Sequence, residues 1–259
     1  MAERCGRQLH LPLWAASLAE ASRAVRARRG EGLAVKPRHG SNGKYVALWP
    51  SGARVEELQE SVVAAAGAQD PSWRRESWNQ NAVVRGVVVQ PLYAFMADLV
   101  QVEGPRMRRP LELKVQVLSG QVVGACLSSH PIYLWVTRCG AVILWDPKTP
   151  GLLKKGHGIW EALPLGVLEL LRESLKRHWL HIRDFSEQVA YDLDELRVDW
   201  LLGDENWGPR IGELTYMGTM ALDLAPVSQR LAKAFAANHL GRLQGVQLDP
   251  FGEMARLQA

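Results

Sequence analysis

Four stretches of the chain combine residue types and spacings that suit chemistry on a phosphorylated ligand. They are Lys36 with the loop His39-Gly40-Ser41-Asn42-Gly43, Lys114 in Leu-Glu-Leu-Lys-Val-Gln-Val-Leu, Asp199 in Arg-Val-Asp-Trp-Leu, and Glu213 in Arg-Ile-Gly-Glu-Leu-Thr. A lysine at a strand end, followed by a glycine-containing hairpin loop, pairs with phosphate oxygens while the loop amides fold over them. The spacing does not follow G-x-x-x-x-G-K-[ST], so a helix-cradled phosphate loop is excluded. The same five loop residues also make an ordinary turn rich in types that tolerate positive φ. Asp199 and Glu213 interrupt apolar strands, and a carboxylate buried there is costly unless compensated. On strands joined by one turn they could converge on Mg²⁺, which takes one or two carboxylates plus substrate phosphates. Alternatively both face solvent, or Arg197 and Arg210 pair with them across the hairpin. Lys114 alternates with Leu113 and Val115, and is expected on the face opposite Glu112 unless a bulge intervenes; an exposed strand lysine and an edge charge are the bland alternatives.

The elements that must position these residues follow from periodicity and breakers. Ala, Leu and Val at helical spacing over 15–29, closed by Gly30 and Gly32, predict a helix. Strands are predicted at Leu33 to Lys36 and Tyr45 to Trp49, flanking the glycine loop, then an amphipathic helix at Val55 to Ala66 and a buried strand at Val83 to Val89. Pro91 cannot donate to a ladder, so Gln90 to Tyr93 reads as the strand end and a hinge. Leu111 to Leu118 and Gln121 to Cys126 form two strands about Ser119-Gly120, with further strands at Ile132 to Val136 and Ala141 to Trp145. Helices are expected at Leu165 to Trp179, Asp184 to Leu193 and Pro226 to Leu240, and strands at Leu196 to Leu202 and Pro209 to Tyr216. Helices mixed with antiparallel hairpins indicate an α+β fold.

Composition narrows the field. At 259 residues and 47% hydrophobic, the chain can bury a substantial core. A balance of 31 basic against 27 acidic residues, +4 overall, gives no charge-based reason to invoke nucleic acid or a membrane as partner. No apolar stretch approaches the roughly 18 residues that span a bilayer. Cys5, Cys126 and Cys139 lack metal-ligand spacing and read as reduced thiols, so a cytoplasmic location is the expectation. His178 and His181 lack a third ligand for zinc, and the ten tryptophans are scattered in the manner of packing residues rather than base-stacking platforms.

In order and approximate spacing, Leu-Ala-Val-Lys-Pro-Arg-His-Gly-Ser-Asn-Gly, Val-Val-Val-Gln-Pro-Leu-Tyr, Leu-Glu-Leu-Lys-Val-Gln-Val-Leu-Ser-Gly, Leu-Arg-Val-Asp-Trp-Leu and Ile-Gly-Glu-Leu-Thr resemble the ATP-grasp superfamily. Within it they resemble the teichuronopeptide-biosynthesis (TupA-like) type, over about residues 33 to 226. The resemblance implies two α+β subdomains with antiparallel sheets enclosing a nucleotide cleft. It implies ATP and Mg²⁺ as cofactors. Lys36 and Lys114 would contact phosphate, residues 39 to 43 would cover it, and Gln90, Leu92 and Tyr93 would form the adenine hinge, with Gln90 where an acidic residue is usual. Glu112 would lie near the ribose or metals, Asp199, Glu213 and Thr215 would hold Mg²⁺, and Arg197 would meet a transferring or acceptor phosphate. The implied chemistry joins a small-molecule, peptide or glycan carboxylate to an amine through an acyl phosphate. A phosphotransferase with the same site and a catalytically silent binding protein are the competing readings.

The expected organisation is an N-terminal helical remnant over 1–32, with the usual N-terminal domain short or missing. A small subdomain over 33–89 carries the glycine loop, a large one over 90–245 carries the metal site, and 246–259 form a tail.

Overall fold

The computed structural model describes residues 10–40, 44–70, 84–93, 111–127, 134–144, 165–204 and 206–215. The helix expected at Pro226 to Leu240, the tail, and the loop tip Ser41, Asn42 and Gly43 lie outside the described residues. The chain divides into a smaller unit, Leu11–Tyr93, and a larger one comprising Met1–His10 and Ala94–Ala259. The architecture is mixed α+β with antiparallel sheets.

In the smaller unit, β1 (Leu33–Pro37), β2 (Ala47–Trp49) and β3 (Val87–Pro91) pair antiparallel in the order β2-β1-β3. Helix α1 (Leu18–Ala27) opens with a capping box, in which the Ser17 hydroxyl accepts from the Glu20 amide and the Glu20 carboxylate accepts from the Ser17 amide. Ala21 and Val25 of α1, with Leu58, Val62 and Ala65 of α2 (Val55–Gly67), bury Leu33, Val35, Val87 and Val89. Strand alternation therefore turns Lys36, Val88 and Gln90 to the other face. Helix α1 is thus part of this unit's core, and the unit ends at Tyr93. Two strands are shorter than their sequence suggests. β2 starts at Ala47 because Tyr45 is left-handed, at φ 60°, and β3 starts after Gly86, where an added Cβ would lie 2.8 Å from the Ala16 carbonyl oxygen.

In the larger unit, β4 (Leu111–Leu118), β5 (Gln121–Leu127), β6 (Leu134–Val136), β7 (Val142–Leu144), β8 (Glu195–Leu202) and β9 (Arg210–Thr215) form one sheet. Its order is β7-β6-β5-β4-β8-β9. The β4 to β5 turn is Ser119-Gly120, both left-handed at φ 50° and 75°, as a two-residue hairpin turn requires. Leu111, Leu113, Val115 and Val117 of β4 and Leu196, Val198, Trp200 and Leu202 of β8 join the core beneath helix α3 (Leu165–Val189). The two helices expected over 165–193 are one. The apolar stripe Leu171, Leu175, Trp179 and Ile182 keeps helical spacing through the expected break, and no glycine or proline interrupts residues 167–189. The indole of Trp200 donates to Ser186 Oγ at 3.0 Å, and that hydroxyl donates to the Ile182 carbonyl at 2.7 Å.

The turn before β7 is fitted to the same helix. Gly140 has φ 90°, and a Cβ there would lie 2.6 Å from the Trp179 ring, whose Nε1 donates to the Arg138 carbonyl at 2.9 Å. Gly140→Ala combines backbone strain with a clash and is expected to cost about 1–3 kcal/mol. Urea unfolding of parent and variant checks this; equal midpoints would show that the ring yields freely.

Candidate functional site

On the sheet face opposite α3, polar residues replace the apolar set. β4 and β8 pair without interruption, placing Lys114 opposite Asp199, and Gln116 opposite Arg197. β9 then sets Glu213 opposite Asp199 and Thr215 opposite Arg197. Lys114, Asp199 and Glu213 are therefore one cross-strand row, with Gln116, Arg197 and Thr215 as the next. Glu112 and Lys114 are two residues apart and share this face. That corrects their expected placement on opposite faces, because strand side chains alternate with period two.

A bulge makes the β9 half of the row work. Between Asp199 and Trp200 the pairing skips one β9 residue, Gly212, so that Ile211 pairs with Trp200 and packs on the core while Glu213 stays beside Asp199. Gly212 is pressed against Leu201, whose Cγ would lie 3.2 Å from an added Cβ.

Arg197 ties the two rows together. Its Nε and Nη2 donate to the two oxygens of Asp199 at 2.7 and 2.8 Å, and Nη2 also donates to Thr215 Oγ1 at 3.0 Å. Thr215 Oγ1 donates to Glu213 Oε1 at 3.1 Å. Arg197 thus pairs with a carboxylate on its own strand rather than across the hairpin, and Arg210 donates instead to the Pro209 carbonyl. Burial pushes the Asp199 carboxyl above its ordinary value, with the bonds and charge of Arg197 and, more weakly, Lys114 opposing, and Glu112 adding to the rise. Burial also works against the charge of Arg197, but the hydrogen bond and charge of Asp199, with Glu213 and Glu112, hold its pKa above the ordinary value.

Asp199, Glu213 and Thr215 offer only oxygen donors, which suits Mg²⁺. Among the described residues no group of three His, Cys, Asp or Glu is arranged to hold a metal, so two carboxylates and a hydroxyl would need ligand oxygens to complete a coordination shell.

In the smaller unit, Lys36 and Gln90 share the outer sheet face, and Leu92 donates its amide to the Gly32 carbonyl at 2.8 Å. Tyr93 is buried. The ring of His39 is buried and its Nε2 bonds the Ala68 carbonyl at 2.9 Å, while Gly40 donates to the Pro37 carbonyl. Past the loop, Lys44 pairs with Asp70 at 2.6 Å and the Tyr45 hydroxyl donates to the Gln69 carbonyl. Both legs of the glycine loop are therefore moored to residues 68–70, and the His39 ring serves as one mooring.

Gln116, Cys126 and Glu195 of the polar face were not among the site residues expected from the sequence. Gln116 is 2% exposed and its Oε1 makes no hydrogen bond among the described residues. Cys126 lies opposite Lys114 on β5, extending the row. Burial pushes its thiol up to about 11, with the charges of Lys114, Asp199, Arg197 and Glu112 as lesser influences. Alternation from Lys114 already signals Gln116; nothing local signals Cys126.

No protein-family model and no curated protein matches the chain. It is similar to several solved structures of ligases. One is the ATP-grasp ligase PsnB complexed with a minimal precursor, at 14% identity and TM-score 0.40, over 85% of this chain and 51% of that one. Another is the D-cycloserine synthetase DcsG, at 15% identity and TM-score 0.37, over 83% of this chain and 58% of that one. A third is the D-alanine-D-alanine ligase of Helicobacter pylori, at 15% identity and TM-score 0.39, over 86% and 53%. The chain spans between about half and three fifths of the length of these proteins.

The raised Asp199 value fixes a sign. Its protonated form is favoured by folding, so the stability it contributes is present below the ordinary value of 3.8 and is lost as pH rises through the raised native value. Carboxyl ¹³C shifts followed through a pH titration should place Asp199 above 3.8; a value below it would mean that Arg197 outweighs burial. The thiols give a second check. Cys126 should resist iodoacetamide at pH 8 in the native protein while the exposed Cys139 reacts, as peptide mapping would show.

Proposed function

We propose that this chain is an ATP- and Mg²⁺-dependent ligase of ATP-grasp type, joining a carboxylate to an amine through an acyl phosphate. The observation that carries the reading is the register row of Lys114, Asp199 and Glu213, with Arg197 and Thr215 hydrogen-bonded beside it. Residues far apart in the chain, and singled out as one motif series of the TupA-like type, meet on one sheet face.

In this reading Asp199, Glu213 and Thr215 hold Mg²⁺, which supplies charge neutralisation for the transferring phosphoryl group. Lys114 and Lys36 bind phosphate oxygens. Amides of residues 39 to 43 cover the phosphates and exclude water that would hydrolyse an activated acyl group. Gln90, Leu92 and Tyr93 receive the adenine, and Glu112 the ribose or the cation. Arg197 would meet a transferring or acceptor phosphate with an N–H group that its strand partners leave free. No protein nucleophile is needed. The substrates are small-molecule, peptide or glycan carboxylates and amines. The described residues contain no helix long and apolar enough to cross a membrane, and we infer a cytoplasmic setting from the reduced cysteines.

Calorimetric titration of ATP in the presence of Mg²⁺ tests the site. The parent should bind saturably, and Asp199→Asn with Glu213→Gln should lose at least tenfold in affinity, since charge-assisted contacts contribute about 1.5–3 kcal/mol each. A folded parent that does not bind ATP would leave the silent binding protein as the better reading. Binding followed by release of ADP and phosphate with an amide product would separate the ligase from a phosphotransferase.

A further inference from the structure

Asp199 is 1% exposed, and both of its oxygens accept from Arg197. The guanidinium therefore occupies the electrostatic position of a cation between Asp199 and, through Thr215, Glu213. On the same face, three acceptors have no donor among the described residues: Gln116 Oε1, in register with Arg197; Glu195 Oε1, two residues before Arg197 on β8; and, one strand further from Arg197, Gln121 Oε1, in register with Leu118, which itself lies opposite Glu195. Buried acceptors without partners are costly, and each requires an explanation. The charge of Arg197 already reaches Glu195.

We propose that Arg197 is a two-position switch: it neutralises Asp199 while no divalent cation is bound, and a cation arriving there moves the guanidinium onto Gln116 Oε1 and Glu195 Oε1. The switch rests on the reading of Asp199 and Glu213 as a cation site. It makes Arg197 a competitor of the cation and Gln116 an assistant. Each satisfied acceptor offsets part of what the fork to Asp199 loses, so the exchange needs no unfolding of the strand. Asp199 is never left as a bare buried charge in either position.

Mn²⁺ binding without nucleotide, read by the loss of the free-ion electron paramagnetic resonance signal, tests the switch. Arg197→Gln should bind Mn²⁺ about tenfold more tightly than the parent, as expected on removal of a charge-assisted competitor. Gln116→Leu should bind it several-fold more weakly. Circular dichroism establishes that each variant is folded, and Arg197→Lys, which keeps the charge but loses the fork, replaces Arg197→Gln if that variant is not; it should also bind more tightly than the parent. A residue that merely supports the fold would shift both variants in one direction. Equal or weaker Mn²⁺ binding on loss of the Arg197 fork, or unchanged binding in Gln116→Leu, overturns the switch while leaving the cation site intact. No Mn²⁺ binding by parent or variants removes the cation site and the switch together.

Discussion

The uninterrupted pairing of β4 with β8 is the constraint on which the larger unit depends. It sorts residues by parity: Leu111, Leu113, Val115 and Val117, with Leu196, Val198, Trp200 and Leu202, face α3, and Glu112, Lys114, Gln116, Arg197 and Asp199 face away. A slip of one residue would turn a charged row into the core and an apolar row outward, a change no local rearrangement could offset. Core packing and the polar constellation are consequences of one register. The Gly212 bulge lets β9 obey both demands at once, sending Ile211 to the core and Glu213 to the row.

Electrostatics on the polar face are tightly balanced. Asp199 is almost wholly shielded from water, and its charge is tolerable because a forked guanidinium meets it, with Lys114 across the strand. Glu213, by contrast, is exposed, so the two carboxylates of the row are unequal partners: one held rigidly and one reachable from solvent. A ligand would find a fixed floor and an adjustable rim.

Much of this was legible in the sequence, for identifiable reasons. The strands β4 and β8 announce themselves by apolar alternation and β5 by a nearly continuous apolar run, bounded by Ser119-Gly120 and Gly203, and the polar interruptions at Lys114 and Asp199 fall where the period places them on one face. The extent of α3 was legible but missed: Leu171, Leu175, Trp179 and Ile182 keep helical spacing with no glycine or proline between them, and His181 and Arg183 flanking Ile182 only resemble a break. The left-handed Tyr45 hid the start of β2, since an aromatic residue ordinarily favours strand. The fork between Arg197 and Asp199 was likewise out of reach. Residues two apart on a strand share a face, but which partner an arginine selects depends on burial, and burial is a property of the assembled sheet.

The topology also orders the events by which the chain acquires its polar face. The β4 and β5 hairpin closes through a two-residue turn, and α3 forms from local contacts, but Lys114 meets Asp199 only after the long segment between them has been folded back. Loop closure makes that pairing the entropically demanding one. Glu213 and Thr215 join the constellation only through β9, which pairs with β8 and not with β4, so the polar face needs all three strands.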